Sequence, residues 1–388
     1  RCRCFTPMFG VIEFGARLGT PVAMGRAPTT SRSVCCRATI TGVSGGVCCN
    51  WPGRTGDSRL ASPAYDGRGK NLRIAIFGAG GIGGYLGGRL SQAGEEVVFI
   101  ARGEHLQAIK DHGLRVDSVK GDFVATAALA TANPTEAGTV DAVILGVKAW
   151  QVIEAAKAMR PMIGPDTFVV PMQNGVEAAG QLASVLGDKA VVVGLGGLIS
   201  YIVGPGHILH AGGEPYVSFG ESDDSTSERT RRLLHVFQNA GITANIPSNI
   251  RAALWNKLAL MATNSGVGAV TRVPSGQWRG APGSWEIAQE VVREVLAVAA
   301  GKGIKMPEDA FASVVARLEG SPPDGTSSMQ RDLMEGRPSE LEVQTGGVVR
   351  LGLEAGVPTP VNTFIYNSLL PQEMRARGQF PAEDSDKP

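Results

Sequence analysis

Hydrophobic residues form short strand-like runs from residue 72 to about residue 246, with helical spacing after that. The first run, residues 72–77, is rich in β-branched side chains, is followed by glycines and predicts a buried strand. Similar runs occupy residues 96–100, 141–146, 167–172, 190–195, 207–211 and 216–220. Helical segments between several of these runs predict a doubly wound α/β domain with a mainly parallel sheet. The stretch 207–220 is predicted to add antiparallel strands to one edge of that sheet.

Beyond Ile246 the pattern is helical. Helices are predicted over residues 249–270, 284–302, 308–318 and 340–355. In the first two of them, residues recur at helical spacing at Leu254, Leu258, Met261, Ser265, Ile287, Val291, Val295 and Val298. The predicted organisation is a leader at residues 1–70, an α/β domain at 71–247, an all-α domain at 248–375 and a polar tail at 376–388.

Residues 1–70 differ from the rest of the chain in composition. They hold nine arginines, one lysine and three acidic residues, and they show no sustained strand or helix period. This composition is typical of an organellar transit peptide, which predicts a soluble protein of the plastid or the mitochondrial matrix. The alternatives are a disordered extension or an artefact of gene modelling, and the artefact would leave a cytoplasmic protein.

Cysteine positions, charge and hydropathy exclude several classes of function. All six cysteines lie within the first 50 residues, so no disulfide, cysteine nucleophile or metal site is predicted for the two domains. The chain has 37 basic and 36 acidic residues, which leaves 27 and 33 after residue 70, without a basic patch for nucleic acid. The longest apolar stretch is too short to span a bilayer. The expected partner is a small molecule, and the protein is expected to be a monomer or a homodimer.

A glycine-rich turn follows the first predicted strand and opens a helix. Its sequence matches the pattern G-x-G-x-x-G and consists of Gly78, Ala79, Gly80, Gly81, Ile82 and Gly83. Glycine permits a tight turn and close approach of the backbone to a pyrophosphate, while the helix N-terminus offers free N–H groups. The motif in this position predicts a Rossmann-type domain that binds a nicotinamide dinucleotide.

The residue at the end of the second predicted strand indicates which dinucleotide is bound. An NAD-binding domain places an acidic residue there, about 20 residues after the glycines, on the ribose 2′-hydroxyl. This chain has Arg102 at that position, and an arginine suits a 2′-phosphate. The sequence therefore predicts NADP(H) as the cofactor, and the alternative is a solvated arginine.

Several motifs in a fixed order resemble those of the ketopantoate reductase (2-dehydropantoate 2-reductase) family. They occupy residues 78–83, 147–151, 173–177, 254–258, 327–332 and 337–340. The resemblance extends over residues 71–372. It implies NADPH-dependent reduction of the keto group of 2-dehydropantoate to (R)-pantoate, on the path to pantothenate and coenzyme A.

The resemblance also implies roles for single residues. Lys257 matches the family's catalytic lysine, which would act as general acid on the oxygen that gains negative charge when hydride reaches the keto carbon. Glu340 matches an acid that hydrogen-bonds the substrate and orients this lysine. Ser328 matches the residue that holds the substrate carboxylate. Lys148 and Asn174 each follow a predicted strand and match residues that contact cofactor and substrate.

The helix that carries Lys257 departs from the family pattern. The family commonly has asparagine four and eight residues after the lysine, where this chain has Met261 and Ser265. A thioether is a poor partner for a substrate hydroxyl. Asn264 lies within about 20° of the helix face of Lys257 and is a candidate substrate-binding replacement. Two alternatives therefore remain: an NADPH-dependent reductase of another 2-keto acid, and a non-catalytic NADP-binding protein.

Overall fold

The computed structural model describes residues 71–380. The predicted leader and the last eight residues of the predicted tail lie outside the described residues. The strands are β1 (Arg73–Phe77), β2 (Glu96–Ile100), β3 (Leu114–Ser118), β4 (Phe123–Ala125), β5 (Leu129–Thr131), β6 (Ala142–Leu145), β7 (Phe168–Pro171), β8 (Val193–Gly204), β9 (His207–Gly220) and β10 (Thr243–Asn245).

The helices alternate with these strands at first and then follow one another without interruption. They are α1 (Gly81–Gln92), α2 (Gly103–His112), α3 (Pro134–Ala137), α4 (Val152–Ala158), α5 (Ala178–Leu186), α6 (Glu228–Asn239), α7 (Ile250–Thr271), α8 (Ser275–Gly280), α9 (Pro282–Gly301), α10 (Ala310–Glu319), α11 (Ser328–Met334), α12 (Thr345–Ala355) and α13 (Pro360–Ala376). Short 3₁₀ turns lie at Ala149–Gln151, Arg160–Met162 and Asp188–Ala190.

Five strands form a parallel sheet in the order β5-β2-β1-β6-β7. Alternate residues of β1 point into different hydrophobic clusters, Ile76 towards Leu86 of α1 and Phe77 into the cluster that holds Val152 of α4. Both faces of the sheet are therefore covered, which explains why its strands are continuous apolar runs. The predicted doubly wound parallel sheet is confirmed.

The prediction for residues 207–220 was wrong. They form one continuous strand, β9, in a second sheet ordered β10-β9-β3-β4, and β8 pairs with β9 as well. β9 runs antiparallel to β8 and parallel to β3 and β10. Gly212 and Gly213 interrupt the apolar pattern, but the strand continues past them because β8 stays paired on both sides through irregularities of register.

The second domain is all-helical, as predicted, and α7 runs through its centre. The Asn249 side chain accepts a hydrogen bond from the Ala252 N–H at 2.8 Å and caps the start of α7. The helix packs against α8, α9, α10, α11 and α13. Because it is enclosed, α7 has apolar residues on all sides and no single apolar stripe.

Two details of the predicted helices differ from the structure. The helix predicted over residues 340–355 begins at Thr345, since residues 341–344 form a turn and Glu340 precedes it. On α9, Val291, Val295 and Val298 are fully buried as expected, but Ile287 is exposed. Helices α8, α11 and α13 were not predicted. Pro371 lies inside α13 and interrupts its helical signal.

Strand β8 connects the second sheet to the helical domain. Val193 and Leu195 of β8 form a small hydrophobic cluster with Ile250 and Leu254 of α7. Gly220 at the end of β9 leaves room for Ile250, since a Cβ there would lie 3.2 Å from the Cβ of Ile250. This packing lays the backbone of β8 beside the first turns of α7.

Candidate functional site

The glycine-rich turn joins β1 to α1, and the backbone itself requires two of its glycines. Gly78 has φ +102°, and a Cβ there would lie 2.8 Å from the Val147 backbone nitrogen. A Cβ on Gly83 would lie 2.1 Å from the Gly78 carbonyl oxygen. Larger residues at either position would push α1 away from β1 and β6.

Gly80 has a different environment, because a Cβ on it would meet no atom within 4 Å. The first hydrogen bond of α1 runs from the Gly84 N–H to the Gly80 carbonyl at 2.7 Å, so the N–H groups of the first turn have no acceptor within the helix. Open space in front of free N–H groups fits a dinucleotide pyrophosphate. Gly81 is needed for another reason: a Cβ there would lie 2.4 Å from the Ser200 carbonyl oxygen of β8.

Three of the predicted cofactor residues lie at the carboxyl edge of neighbouring strands. Arg102 follows β2, Lys148 follows β6 and Asn174 follows β7, on either side of the glycine turn after β1. This edge is where doubly wound sheets bind ligands. Arg102 precedes α2 and is exposed, and its side chain forms no hydrogen bond or ion pair among residues 71–380. Its guanidinium is therefore available to a phosphate.

His105 supports the glycine turn. Its Nε2 lies 2.8 Å from the Ala79 carbonyl oxygen, and its Nδ1 accepts a hydrogen bond from the Gly206 N–H at 3.0 Å. Nδ1 is therefore the acceptor nitrogen and Nε2 the donor. The imidazole links the glycine turn to the connection between β8 and β9.

Lys257 lies on α7 opposite β8 and is 7% exposed. Its Nζ donates a hydrogen bond to the Gly196 carbonyl at 2.7 Å. Burial lowers the pKa of Lys257 from 10.5 to about 8, the nearby Glu340 carboxylate opposes this shift, and Arg317 adds to it. The result is a buried amine that can give up a proton near neutral pH.

Glu340 connects the helical domain to the carboxyl edge of the sheet. The Asn174 Nδ2 donates a hydrogen bond to Glu340 Oε2 at 2.8 Å, across 166 residues of sequence. Glu340 forms no ion pair with Lys257 and acts on it through its charge. Gly175, with φ +89°, permits the close approach, since a Cβ there would lie 2.8 Å from the Val343 carbonyl oxygen. The structure thus brings Asn174, Glu340 and Lys257 together.

Lys148 contacts the helical domain through an acidic residue of α11. Its Nζ lies 3.6 Å from Asp332 Oδ2 on α11, and Arg337 pairs with the same carboxylate at 2.8 Å. Ser328, the first residue of α11, is exposed. The helix cap is its neighbour Ser327, whose hydroxyl accepts from the Gln330 N–H at 3.0 Å. The Ser328 hydroxyl has no partner among the described residues.

Further along α7, the side chains near the face of Lys257 differ in burial. Met261 and Asn264 are partly exposed, whereas Ser265 is fully buried. The Ser265 hydroxyl has no hydrogen-bond partner within the described range. Met261 therefore presents an apolar surface one turn from Lys257, and the structure shows no contact between Asn264 and the other predicted site residues.

Sequence reasoning missed Gly196, the acceptor for Lys257. A glycine inside a strand indicates close approach of another group, and that signal was present in the glycines of β8. A Cβ on Gly196 would lie 2.9 Å from the Tyr216 carbonyl oxygen and 3.2 Å from Met172 Sδ. The strand therefore has no side chain at the position where Lys257 contacts its backbone.

Two other kinds of feature are absent from residues 71–380. No group of three or more His, Cys, Asp or Glu side chains in this range is arranged to hold a metal ion. No helix among these residues is long and apolar enough to cross a membrane.

Comparison with known proteins gives the family. The family described as "Ketopantoate reductase PanE/ApbA" matches residues 74–224, and "Ketopantoate reductase PanE/ApbA C terminal" matches residues 249–373. The chain belongs to the ketopantoate reductase family. The protein is therefore an oxidoreductase of a pyridine-nucleotide-dependent family, and the resemblance inferred from the motifs is confirmed.

Individual relatives agree with this assignment. The chain is 32% identical to a 2-dehydropantoate 2-reductase of Archaeoglobus fulgidus, over 76% of this chain and 96% of the relative. It is 31% identical to the enzyme of the same name from Mesorhizobium japonicum, over 74% of this chain and 94% of the relative. The solved structure of a PanE/ApbA family ketopantoate reductase from Ralstonia eutropha has 32% identity and a TM-score of 0.71, and covers 78% of this chain and 99% of its own.

The fold is also that of an enzyme with a different name. A D-mandelate dehydrogenase, solved with NADH and anilino(oxo)acetate, is 25% identical to this chain with a TM-score of 0.71. The match covers 78% of this chain and 99% of the dehydrogenase. Membership of the family therefore leaves both the substrate and the choice between NADPH and NADH to be tested.

Proposed function

We propose that the protein uses NADPH to reduce 2-dehydropantoate to (R)-pantoate, which would place it on the path to pantothenate and coenzyme A. The observation that carries this proposal is the meeting of Lys257, Glu340 and Asn174 where the helical domain faces the carboxyl edge of the sheet. A buried amine beside a carboxylate and a carboxamide suits a substrate that gains negative charge on a carbonyl oxygen.

Lys257 is the proton donor in this proposal. One of its three hydrogens is held by the Gly196 carbonyl, which leaves two to face the substrate oxygen. A pKa near 8 keeps most of the amine protonated at neutral pH while making the proton easier to release than from an ordinary lysine. The negative charge of Glu340 helps to keep that proton on Lys257 until the substrate oxygen takes it.

The remaining residues orient the reactants. The N–H groups at the start of α1 would hold the cofactor diphosphate, and Arg102 would bind the 2′-phosphate. The nicotinamide ring, when bound, supplies the hydride. Asn174 and Lys148, at neighbouring strand ends, would contact cofactor and substrate, and Ser328 would hold the substrate carboxylate. Glu340 and Asn264 are the expected partners of the substrate hydroxyl.

A second candidate function is reduction of another 2-keto acid by the same machinery. Met261 favours it, because this side chain gives the space one turn from Lys257 an apolar wall. The match to a D-mandelate dehydrogenase supports it too.

Steady-state oxidation of NADPH separates these candidates. Turnover with 2-dehydropantoate at a higher kcat/KM than with aliphatic and aromatic 2-keto acids is the expected result, and Lys257→Ala should lower kcat by about 10²–10⁴ with NADPH binding retained. A preference for another keto acid would establish the second candidate. NADPH binding without turnover of any keto acid would indicate a non-catalytic protein.

A further inference from the structure

Every polar group of Ser339, the residue before Glu340, forms a hydrogen bond. The Ser339 N–H donates to both oxygens of the Glu373 carboxylate, at 3.1 and 3.0 Å, and the Ser339 hydroxyl donates to Glu373 Oε2 at 2.5 Å. The Ser339 carbonyl accepts from Arg377 Nη2 at 3.0 Å, and its hydroxyl oxygen accepts from the Leu341 N–H at 3.2 Å. Ser339 is fully buried. The peptide that carries Glu340 is therefore fixed from α13.

Glu373 and Arg377 form a single unit at the end of α13. They are four residues apart, and Arg377 Nε donates to Glu373 Oε1 at 2.6 Å. Glu373 is 1% exposed. A carboxylate so deeply buried is costly unless it is paired and hydrogen-bonded, and here both of its oxygens are used on Ser339 and Arg377.

The same arginine reaches the α/β domain. The guanidinium carbon of Arg377 lies 4.6 Å from the centre of the Trp150 ring, and Lys148 Nζ lies 5.7 Å from it. Cation–π contacts of this length are attractive. The end of α13 thus touches both the segment that carries Glu340 and the segment that carries Lys148.

We propose that Glu373 and Arg377 are positioning residues that hold Glu340 against Asn174 and so tune the proton donor Lys257. This inference rests on the proposed function, since it assigns a purpose to contacts around the Glu340–Lys257 pair. Neither residue touches Lys257. Both act through the backbone on either side of Ser339, which sets where the Glu340 carboxylate lies.

The charges around Lys257 give the direction of the effect. Glu340, just before the turn that leads into α12, raises the pKa of Lys257, and Arg317, from α10, lowers it. The group presented by β8 is the uncharged Gly196 carbonyl. If Glu340 drifts away, Arg317 and burial act without opposition and the pKa of Lys257 falls. The proton donor then loses its proton at a lower pH.

The test compares Glu373→Gln with a control of the same chemistry, Glu354→Gln. Glu354 forms an exposed ion pair with Lys302 at 3.0 Å, whereas the carboxylate of Glu373 is buried. Glu373→Gln should move the basic limb of the kcat–pH profile down by about half a pH unit or more, and that shift should lower kcat at pH 8 by about twofold or more. The KM for NADPH should not change, and Glu354→Gln should match the wild type in all three readouts.

Arg377→Lys is the second variant, to be used if Glu373→Gln does not fold. It keeps the positive charge but cannot make the same pair of hydrogen bonds to Ser339 and Glu373. It should move the basic limb in the same direction by a smaller amount. A basic limb at the wild-type pH in whichever variant folds, even with a lower melting temperature, would mean that the unit is only structural and would overturn the inference. Wild-type turnover in Lys257→Ala would instead refute the proposed function.

Discussion

Replacing Lys257 with methionine should make the protein more stable at neutral pH while it removes most of the activity. Methionine keeps a flexible chain of similar length in the same buried space, so little volume is lost. The variant no longer buries a positive charge. We expect kcat to fall by about 10²–10⁴, as for loss of a general acid, with NADPH binding retained.

The size of the stability change follows from the pKa of Lys257. A pKa of about 8 in the folded state against 10.5 in the unfolded state corresponds to about 3 kcal/mol, at about 1.4 kcal/mol per pKa unit. Methionine leaves the Gly196 carbonyl without its hydrogen bond, which costs about 1 kcal/mol. The expected gain in the free energy of unfolding at pH 7 is therefore about 2 kcal/mol.

The pH dependence of the gain tests its cause. Below pH 8 Lys257 is protonated in both the folded and the unfolded state, so the folded state bears the full free-energy cost of burying the charged amine. Between pH 8 and 10.5 the folded state releases the proton first, so the stability of the wild type rises with pH relative to the variant. Urea unfolding at pH 7 and pH 10 should show the advantage of Lys257→Met at pH 7 and its loss at pH 10.

Lys157→Met is the matched control, because Lys157 is a surface residue whose ion pair within residues 71–380 is with Glu154, three positions earlier. It should change stability little at either pH. A Lys257→Met protein that is less stable than the wild type by the same amount at pH 7 and pH 10 would refute the buried charged amine, and with it the physical basis of the proposed proton donor.

Three further predictions concern the cofactor, the substrate and the leader. Arg102→Ala should raise the KM for NADPH by about 10-fold or more and that for NADH little, because a charge-assisted bond to phosphate is worth about 1.5–3 kcal/mol; equal losses would contradict the 2′-phosphate role. Asn264→Ala should lower kcat/KM by about 1–2 kcal/mol if Asn264 binds the substrate, and unchanged kinetics would exclude this. A chain starting near Gly69 should be folded and fully active by circular dichroism and NADPH turnover, since the hydrophobic clusters of both domains form within residues 71–380; an insoluble product would contradict this.

Local sequence signals were sufficient for the features that depend on one segment. The glycine turn was predictable because its glycines sit between an apolar strand and a helix. Lys148 and Asn174 were each predicted to follow a strand, and the structure places both at one edge because the parallel strands all end there. Lys257 was predicted to lie on a helix because α7 has a regular apolar repeat on a long segment.

Features that depend on distant partners were not predictable in the same way. β9 is one strand because β8 and β3 pair along it, and β3 comes from about 90 residues earlier. Glu340 lies outside α12 because Ser339 is held by Glu373 from 34 residues later. Nothing in the neighbourhood of either segment encodes these contacts, so a local pattern predicted two strands and a longer helix.

Strand β8 also links the part of the site around Lys257 to the glycine-rich turn at the start of α1. Its Gly196 carbonyl receives Lys257, and its Ser200 carbonyl lies against Gly81 at the start of α1. The four residues of chain between these positions, which include irregularities of register, span at most about 13 Å. They set the spacing between the proposed proton donor and the helix proposed to hold the diphosphate. Deleting or inserting one residue between Gly196 and Ser200 would change that length and also turn the following side chains to the other face. This short segment should accept substitutions at its exposed positions, such as Ile199, far more readily than any change in its length.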